Sequence, residues 1–242
     1  MSGHSKWNNI KHKKEKTDAA KAGIFTKIGK EIAVAVRAGG GDPNSNSKLR
    51  ELIAKAKANN VPNDNIERAI KKSLDKDGAV YEEMTYEGYG PGGVAVIVEA
   101  ATDSKNRTAG DVRHYFSKYG GNLGAMGCVS FLFAEKGVII IADEDGEIEE
   151  DALMEAALEA GATDFEGDEN IYEIYTEPDD VYAISEALTA AGYTIASAER
   201  AKVPSTYTAL TEEADIANMQ NLLDKLEEND DITNVFHNWE NE

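Results

Sequence analysis

The 242-residue sequence predicts an α+β protein of three domains, an N-terminal three-helix domain plus two ferredoxin-like α/β sandwich domains, one inserted in the other. Three observations lead there. Apolar residues recur at helical spacing as far as residue 76, alternation of strand type takes over after Gly78, and residues 137–202 supply a complete βαββαβ order by themselves. A last helix and strand at the C-terminus have no partners of their own, so they complete the ββαβ of residues 79–135 around the insertion. The expected boundaries are 1–78, then 79–135 with 206–242, and 136–205 for the inserted domain.

Residues 1–16, MSGHSKWNNIKHKKEK, hold five lysines, two histidines and a tryptophan without periodicity, and read as an arm that orders on binding. From Asp18 to Arg37, Ile24, Phe25, Ile28, Ile32, Ala35 and Val36 share one helical face, with Lys27, Lys30 and Arg37 opposite. Gly39-Gly40-Gly41 ends that helix. Ser47 is the expected N-cap of a second helix to about Asn59, with Leu49, Leu52, Ile53 and Ala56 inward and Lys48, Arg50, Lys55 and Lys57 flanking or outward. After Val61-Pro62, Asp64 and Glu67 suggest a capping box for a third helix carrying Ile66, Ala69, Ile70 and Leu74.

Strands are expected over Tyr81–Glu87 and Val94–Ala100, a helix over Asp103–Tyr119, and an apolar strand over Cys128–Phe133. The insertion reads as strand 138–142, helix 147–160, strands 163–165 and 170–176, helix 179–191 and strand 193–201. A helix at 212–228 and a strand at 232–236 follow.

The letters Gly88-x-Gly90-x-x-Gly93 match a dinucleotide fingerprint, but a strand and not a helix follows them, so they read as a hairpin turn. Gly120 to Gly127 lie between a helix end and a strand, where glycines are usually cap and turn residues, with an exposed backbone surface pressed against RNA or a partner as the alternative. His4, His12, His114 and His237 fit no zinc spacing, and no CxxC is present. Cys128 is the single cysteine and reads as a buried strand thiol. No catalytic residues, metal ligands, cofactor or small-molecule substrate are expected, nor is an enzyme. The longest apolar runs are strand-sized, which argues against a membrane partner. No apolar signal core follows the Lys-rich start, and Glu15 and Asp18 interrupt any presequence before the first arginine, Arg37, so the expected location is the cytoplasm.

Charge is divided unevenly. Residues 1–76 carry 17 Lys+Arg against 8 Asp+Glu, while the rest of the chain carries 8 against 37. A net −20 molecule with one segment at +9 has the pattern of a protein whose basic end meets a polyanion. Lys6, Lys11, Lys13, Lys14, Lys16 and Lys21 flank Trp7 and His12, so phosphate-binding charges lie beside rings that can stack on an unpaired base. Lys27, Lys30 and Arg37 extend this stripe, and Lys48, Arg50, Lys55, Lys57 and Arg68 complete the expected nucleic-acid-binding set.

The opening Gly3-His4-Ser5-Lys6-Trp7-Asn8-Asn9-Ile10-Lys11-His12-Lys13-Lys14, with Asp18-Ala19-Ala20-Lys21 and Phe25-Thr26-Lys27, closely resembles the YebC/PmpR family. So do Tyr86-Glu87-Gly88-Tyr89-Gly90-Pro91-Gly92-Gly93, Asn106-Arg107-Thr108-Ala109 and Gly120-Gly121-x-Leu123-Gly124 ahead of Val129-Ser130-Phe131. The resemblance implies a three-domain fold with a helical first domain, nucleic-acid contact through Lys6 to Lys30, and no catalytic role. It also implies one of two activities. One is ribosome- or rRNA-bound assistance to translation through proline-rich stretches, and the other is transcriptional regulation on promoter DNA. The flexible aromatic arm, and a −29 body that a long duplex would repel, favour the first.

Overall fold

The computed structural model describes residues 18–75, 78–143, 145–168 and 170–240, with backbone alone for residues 18–22. The predicted arm of residues 1–16 lies outside the described residues. Contacts gather the chain into two compact units, residues 18–133 with Pro204–Trp239 in one and Ala134–Val203 in the other.

Three helices begin the larger unit: α1 (Asp18–Gly39), α2 (Ser47–Ala58) and α3 (Asn63–Leu74). The apolar stripe of α1 does what its spacing predicts, for Ile28, Ile32, Ala35 and Val36 pack on Leu49, Leu52 and Ala56 of α2 and on Val61 and Ile66. Two predicted caps are corrected. The N-cap of α2 is Asn46 and not Ser47: its Oδ1 accepts from Leu49 N at 3.1 Å, while its Nδ2 donates to the carbonyls of Ala35 and Gly40 at 2.9 and 2.8 Å. An amide can accept and donate at once, which a serine in the same place could not do toward three separate groups. A Cβ at Gly39 would lie 2.7 Å from that amide nitrogen, so the close approach requires glycine there. The Asp64–Glu67 capping box does not form either. Pro62 precedes α3, and its carbonyl alone receives Asn65 N and Ile66 N.

Because buried Asn46 ties the end of α1 to the start of α2, Asn46→Ala is expected to cost about 1–2 kcal/mol, the cap together with stranded carbonyls. Thermal melting of the full chain checks this, and an unchanged midpoint would refute it.

The sandwich follows. Strand β1 (Glu82–Tyr89) pairs antiparallel with β2 (Ala95–Thr102) in continuous register from Glu82↔Thr102 to Tyr89↔Ala95. The glycine-rich letters between them are the expected hairpin, with Gly92 and Gly93 at φ of 62° and 83°. Helix α4 (Lys105–Lys118) leads to the short β3 (Asn122–Leu123). After the insertion come β8 (Thr208–Ala209), α7 (Glu213–Glu228) and β9 (Ile232–His237). The sheet order is β3-β1-β2-β9, so the C-terminal strand closes the edge of a sheet begun 150 residues earlier in concept and completed only there. Val94, Val96 and Val98 meet Val112 and Phe116 of α4 and Met219, Leu222 and Leu226 of α7 on one face.

The opposite face carries a further correction. Residues 128–132 do not form the expected strand: Cys128 lies in a turn, Ser130–Leu132 is a single 3-10 turn, and extended structure begins only at Phe133. Their apolar residues do another job, with Val129, Leu132 and Phe133 covering Ala95, Ile97 and Phe236. A run of that length and composition suits either a buried strand or an apolar plug, and periodicity does not separate the two.

The smaller unit contains most of β4 (Phe133–Ala142) and β7 (Ile195–Pro204), with α5 (Glu150–Ala160), β5 (Asp164–Asp168), β6 (Ile171–Thr176) and α6 (Val181–Ala190) between them. Sheet order β5-β6-β4-β7 is that of a ferredoxin-like sandwich. Ile139, Ile141 and Ile174 pack against Leu153 and Ala157 of α5 and Ile184 and Leu188 of α6.

Candidate nucleic-acid interface

Of the cations singled out in the sequence, Lys6, Lys11, Lys13, Lys14 and Lys16, with Trp7 and His12, lie outside the described residues, as does the side chain of Lys21. The remaining eight separate into two groups. Arg37, in the last turn of α1, is exposed, as are Lys48 and Arg50 in the first turn of α2, Lys57 in its last turn, and Arg68 on α3. Lys71 and Lys72 on α3 join them, with Lys71 3.8 Å from Glu67 in a solvated i,i+4 pair.

Lys27, Lys30 and Lys55 form the other group. The face of α1 that carries Lys27 and Lys30 lies opposite the three-helix core, as the helical wheel requires, but it turns toward the sandwich and not toward water. Lys27 donates to the carbonyl of Glu227, and Lys30 Nζ reaches Asp231 Oδ1 at 2.6 Å and the Asp230 carbonyl at 2.9 Å, above the Tyr81 ring. Lys55 bridges back to Glu31 at 2.9 Å. A helical wheel sees one helix, so it cannot register a second element packed on the far face.

Asp231 is the anchor of that packing. Its Oδ2 accepts from Arg107 Nη2 at 2.7 Å, Thr108 Oγ1 at 2.9 Å and Thr102 Oγ1 at 3.3 Å, while Oδ1 takes Lys30. Burial alone would raise this carboxyl, but the Lys30 and Arg107 hydrogen bonds outweigh it and push it down to about 2. Sequence reading missed Asp231 because its partners lie between about 120 and 200 residues away.

The placement of Lys48 and Arg50 is informative. The first turn of α2 contains no acidic residue, and cations there oppose the helix dipole. They do nothing for the helix, whereas Lys57 at its far end does. Between α1 and α3 lies an open groove of about 290 Å³, floored by Phe25, Ile28, Ile32 and Ile66 and edged by Arg68 and Lys72. Exposed cations therefore stand at both ends of α2 and along α3. Such an arrangement can neutralise the charge of a polyanion and holds no set of side chains paired for reading individual bases.

Elsewhere the described residues hold no cluster of three or more His, Cys, Asp or Glu side chains arranged for a metal ion, and no helix long and apolar enough to cross a membrane. Burial first, and then the Glu87 carboxylate, push the Cys128 thiol up, so it is a poor nucleophile at neutral pH.

Residues 5–76 match the model of the TACO1/YebC protein N-terminal domain, and residues 81–239 match that of the TACO1/YebC second and third domain. A probable transcriptional regulatory protein of Ruminiclostridium cellulolyticum is 57% identical over 241 residues, covering 99% of this chain and 97% of its own. One from Acetivibrio thermocellus is 57% identical over 240 residues, covering 99% of each. Among solved structures, a conserved hypothetical protein from Aquifex aeolicus superposes with a TM-score of 0.82 at 45% identity, over 93% of this chain and 92% of that one.

Proposed function

The chain belongs to the TACO1/YebC family, and from that premise we propose that it is a nucleic-acid-binding regulator of gene expression that acts on translation, holding ribosomal RNA through its basic helical segment and easing elongation through proline-rich stretches. The observation that carries this reading is the charge division: +9 over residues 1–76 against −29 for the rest. On the described part of the basic segment, Arg37, Lys48, Arg50, Lys57, Arg68, Lys71 and Lys72 are exposed. Lys27 and Lys30 tie α1 to the sandwich and Lys55 pairs with Glu31 between the helices, so the proposed contact set among the described residues is the exposed group, joined by the lysines of residues 6–21 with Trp7 and His12. The acidic remainder restricts how such a protein approaches a long duplex, and a confined RNA site avoids that repulsion.

A second reading, promoter binding, has its own support in the naming of the two relatives as probable transcriptional regulatory proteins and in the short connection from α2 to α3. In that reading α3 enters the major groove with Arg68, Lys71 and Lys72.

Gradient sedimentation of a lysate separates the two. The chain is expected to travel with ribosomal particles, to leave them after ribonuclease, and to leave them progressively as salt rises. With about six phosphates neutralised on single-stranded RNA, log affinity should fall with log salt at a slope of about −4, and the joint change of Arg37, Lys48, Arg50 and Lys57 to alanine should make that slope shallower. Sedimentation apart from ribosomes, together with tight binding to particular promoter duplexes alone, would overturn the translational reading in favour of the second.

A further inference from the structure

Glycine is the poorest helix former after proline, yet Gly110 stands in the middle of α4 on its water side. The packing does not ask for it. Gly88 and Gly121 are held to glycine because a Cβ would meet backbone oxygens at 2.6 and 2.7 Å, whereas a Cβ at Gly110 would meet nothing within 4 Å. The missing side chain leaves a shallow hollow on the outer face of a helix whose inner face is Thr108, Val112 and Phe116.

The borders of that hollow are hydrogen-bond donors. Residues three and four away are neighbours on a helix surface, and for Gly110 these are Asn106, Arg107, Arg113 and His114, all exposed. Helical side chains lean toward the N-terminus, so Arg113 and His114 overhang the turn that holds Gly110. Among the described residues neither makes a hydrogen bond or an ion pair, and His114 only meets the Tyr115 ring, with centroids 6.1 Å apart. In a chain with 45 Asp+Glu against 25 Lys+Arg, carboxylates are plentiful, and Arg113 is without one.

The carboxylates closest along the helix are already engaged. Asp103 accepts from Arg107 at 2.8 Å, and Arg107 is held in turn by Asp231. Asp111 lies on the flank toward the end of α7, where Asn229 Nδ2 donates to it at 3.3 Å and to the Tyr115 hydroxyl at 3.4 Å. Lys118 continues the exposed side of α4 over the Tyr119 ring, at 5.1 Å. Of the eight Lys and Arg residues that follow residue 76, four are on α4, while α7 carries five Asp and Glu against Lys225. A guanidinium and an imidazole N–H above an open turn, with the Asn106 amide on its other side, suit an acceptor group that is anionic and has several oxygens.

We propose that the Gly110 turn of α4, with Asn106, Arg113 and His114, seats one backbone phosphate of the bound nucleic acid. The proposal rests on the function proposed above and adds to it a point of attachment on the acidic sandwich. A polyanion repelled by most of that surface is received where the cations of α4 gather.

The test compares the full-length chain with G110L, R113Q/H114Q and the triple variant for binding to single-stranded RNA and duplex DNA over a range of salt. G110L fills the hollow, removes no charge and puts a better helix former on the water side, so folding is expected to be intact. It should weaken binding about 3-fold to 10-fold and make the slope of log affinity against log salt shallower by one phosphate, about 0.7 on a single strand. A diffuse surface field would leave G110L at the parent affinity. The triple variant should bind no more weakly than R113Q/H114Q, because both changes remove the same contact. If G110L binds as the parent does, with its slope unchanged, the seat does not exist, and weakened binding by R37A/K48A/R50A/K57A then shows that the proposed function stands without it. Shifts of the Gly110, Arg113 and His114 amide resonances with inorganic phosphate, while both variants bind RNA normally, would overturn the proposal in favour of a site for free phosphate. Should the parent chain bind neither polymer, seat and function fall together.

Discussion

Replacing Asp231 with alanine is expected to destabilise the larger unit by about 3–5 kcal/mol, because it removes one partner of a buried, multiply bonded ion cluster. Lys30 and Arg107 would face each other with their shared counterion gone, and the hydroxyls of Thr102 and Thr108 would lose their acceptor. Chemical denaturation of the full chain measures this, and a loss below about 1 kcal/mol would show the cluster to be ornamental. Acid provides the same test without mutation. The folded Asp231 carboxyl stands at about 2, below its ordinary value of 3.8, so its contribution is complete above that ordinary value and is lost as pH falls toward the folded one. The difference corresponds to about 2 kcal/mol. D231N should show none of this acid-dependent part between about pH 4 and 2, and a parallel decline in both proteins would contradict the assignment.

The second large effect is expected at Glu87. In Glu87→Ala three amide groups lose their acceptor, each a donor whose loss costs about 1–3 kcal/mol if it stays buried and less if the loop opens to water. A total of about 2–4 kcal/mol follows, with Gly127, Val129 and Ser130 amides exchanging faster while those of β2 remain protected. Burial by itself would raise the Glu87 carboxyl, but the amides of Val129, Gly127 and Ser130 outweigh it and hold it below the ordinary range. The loop should therefore loosen as pH falls below that range, and not as pH rises. Unchanged amide exchange at those three positions in the variant would refute the account.

Both anchors escaped the sequence for one physical reason. Periodicity reports which face of an element is apolar, and so it located α1, α2, α3, the β1–β2 hairpin and the βαββαβ order of the smaller unit. A buried carboxylate in a loop or on a strand has no period, and its partners are identified only by chain folding: Asp231 joins residues 30, 102, 107 and 108. The cap at Asn46 was missed by a single position because Ser47 is an equally good capper by type, and only the carbonyls of Ala35 and Gly40 distinguish them. The candidate interface was legible as charge but not as surface. Composition located the basic segment, whereas the sorting of Arg37, Lys48, Arg50 and Lys57 from Lys27, Lys30 and Lys55 needed the neighbours of each side chain. Phe131 shows the converse, since an aromatic in an apolar run reads as core until its exposure is known.

Where the chain leaves the larger unit and where it comes back are joined side by side: the amide and hydroxyl of Ser205 both donate to the Leu132 carbonyl, at 2.8 and 3.1 Å. The host sheet and its helices bury their apolar faces with residues from outside Ala134–Val203. A short turn could span that stapled gap, so deleting the intervening seventy residues would take no residue from the core of the scaffold beneath.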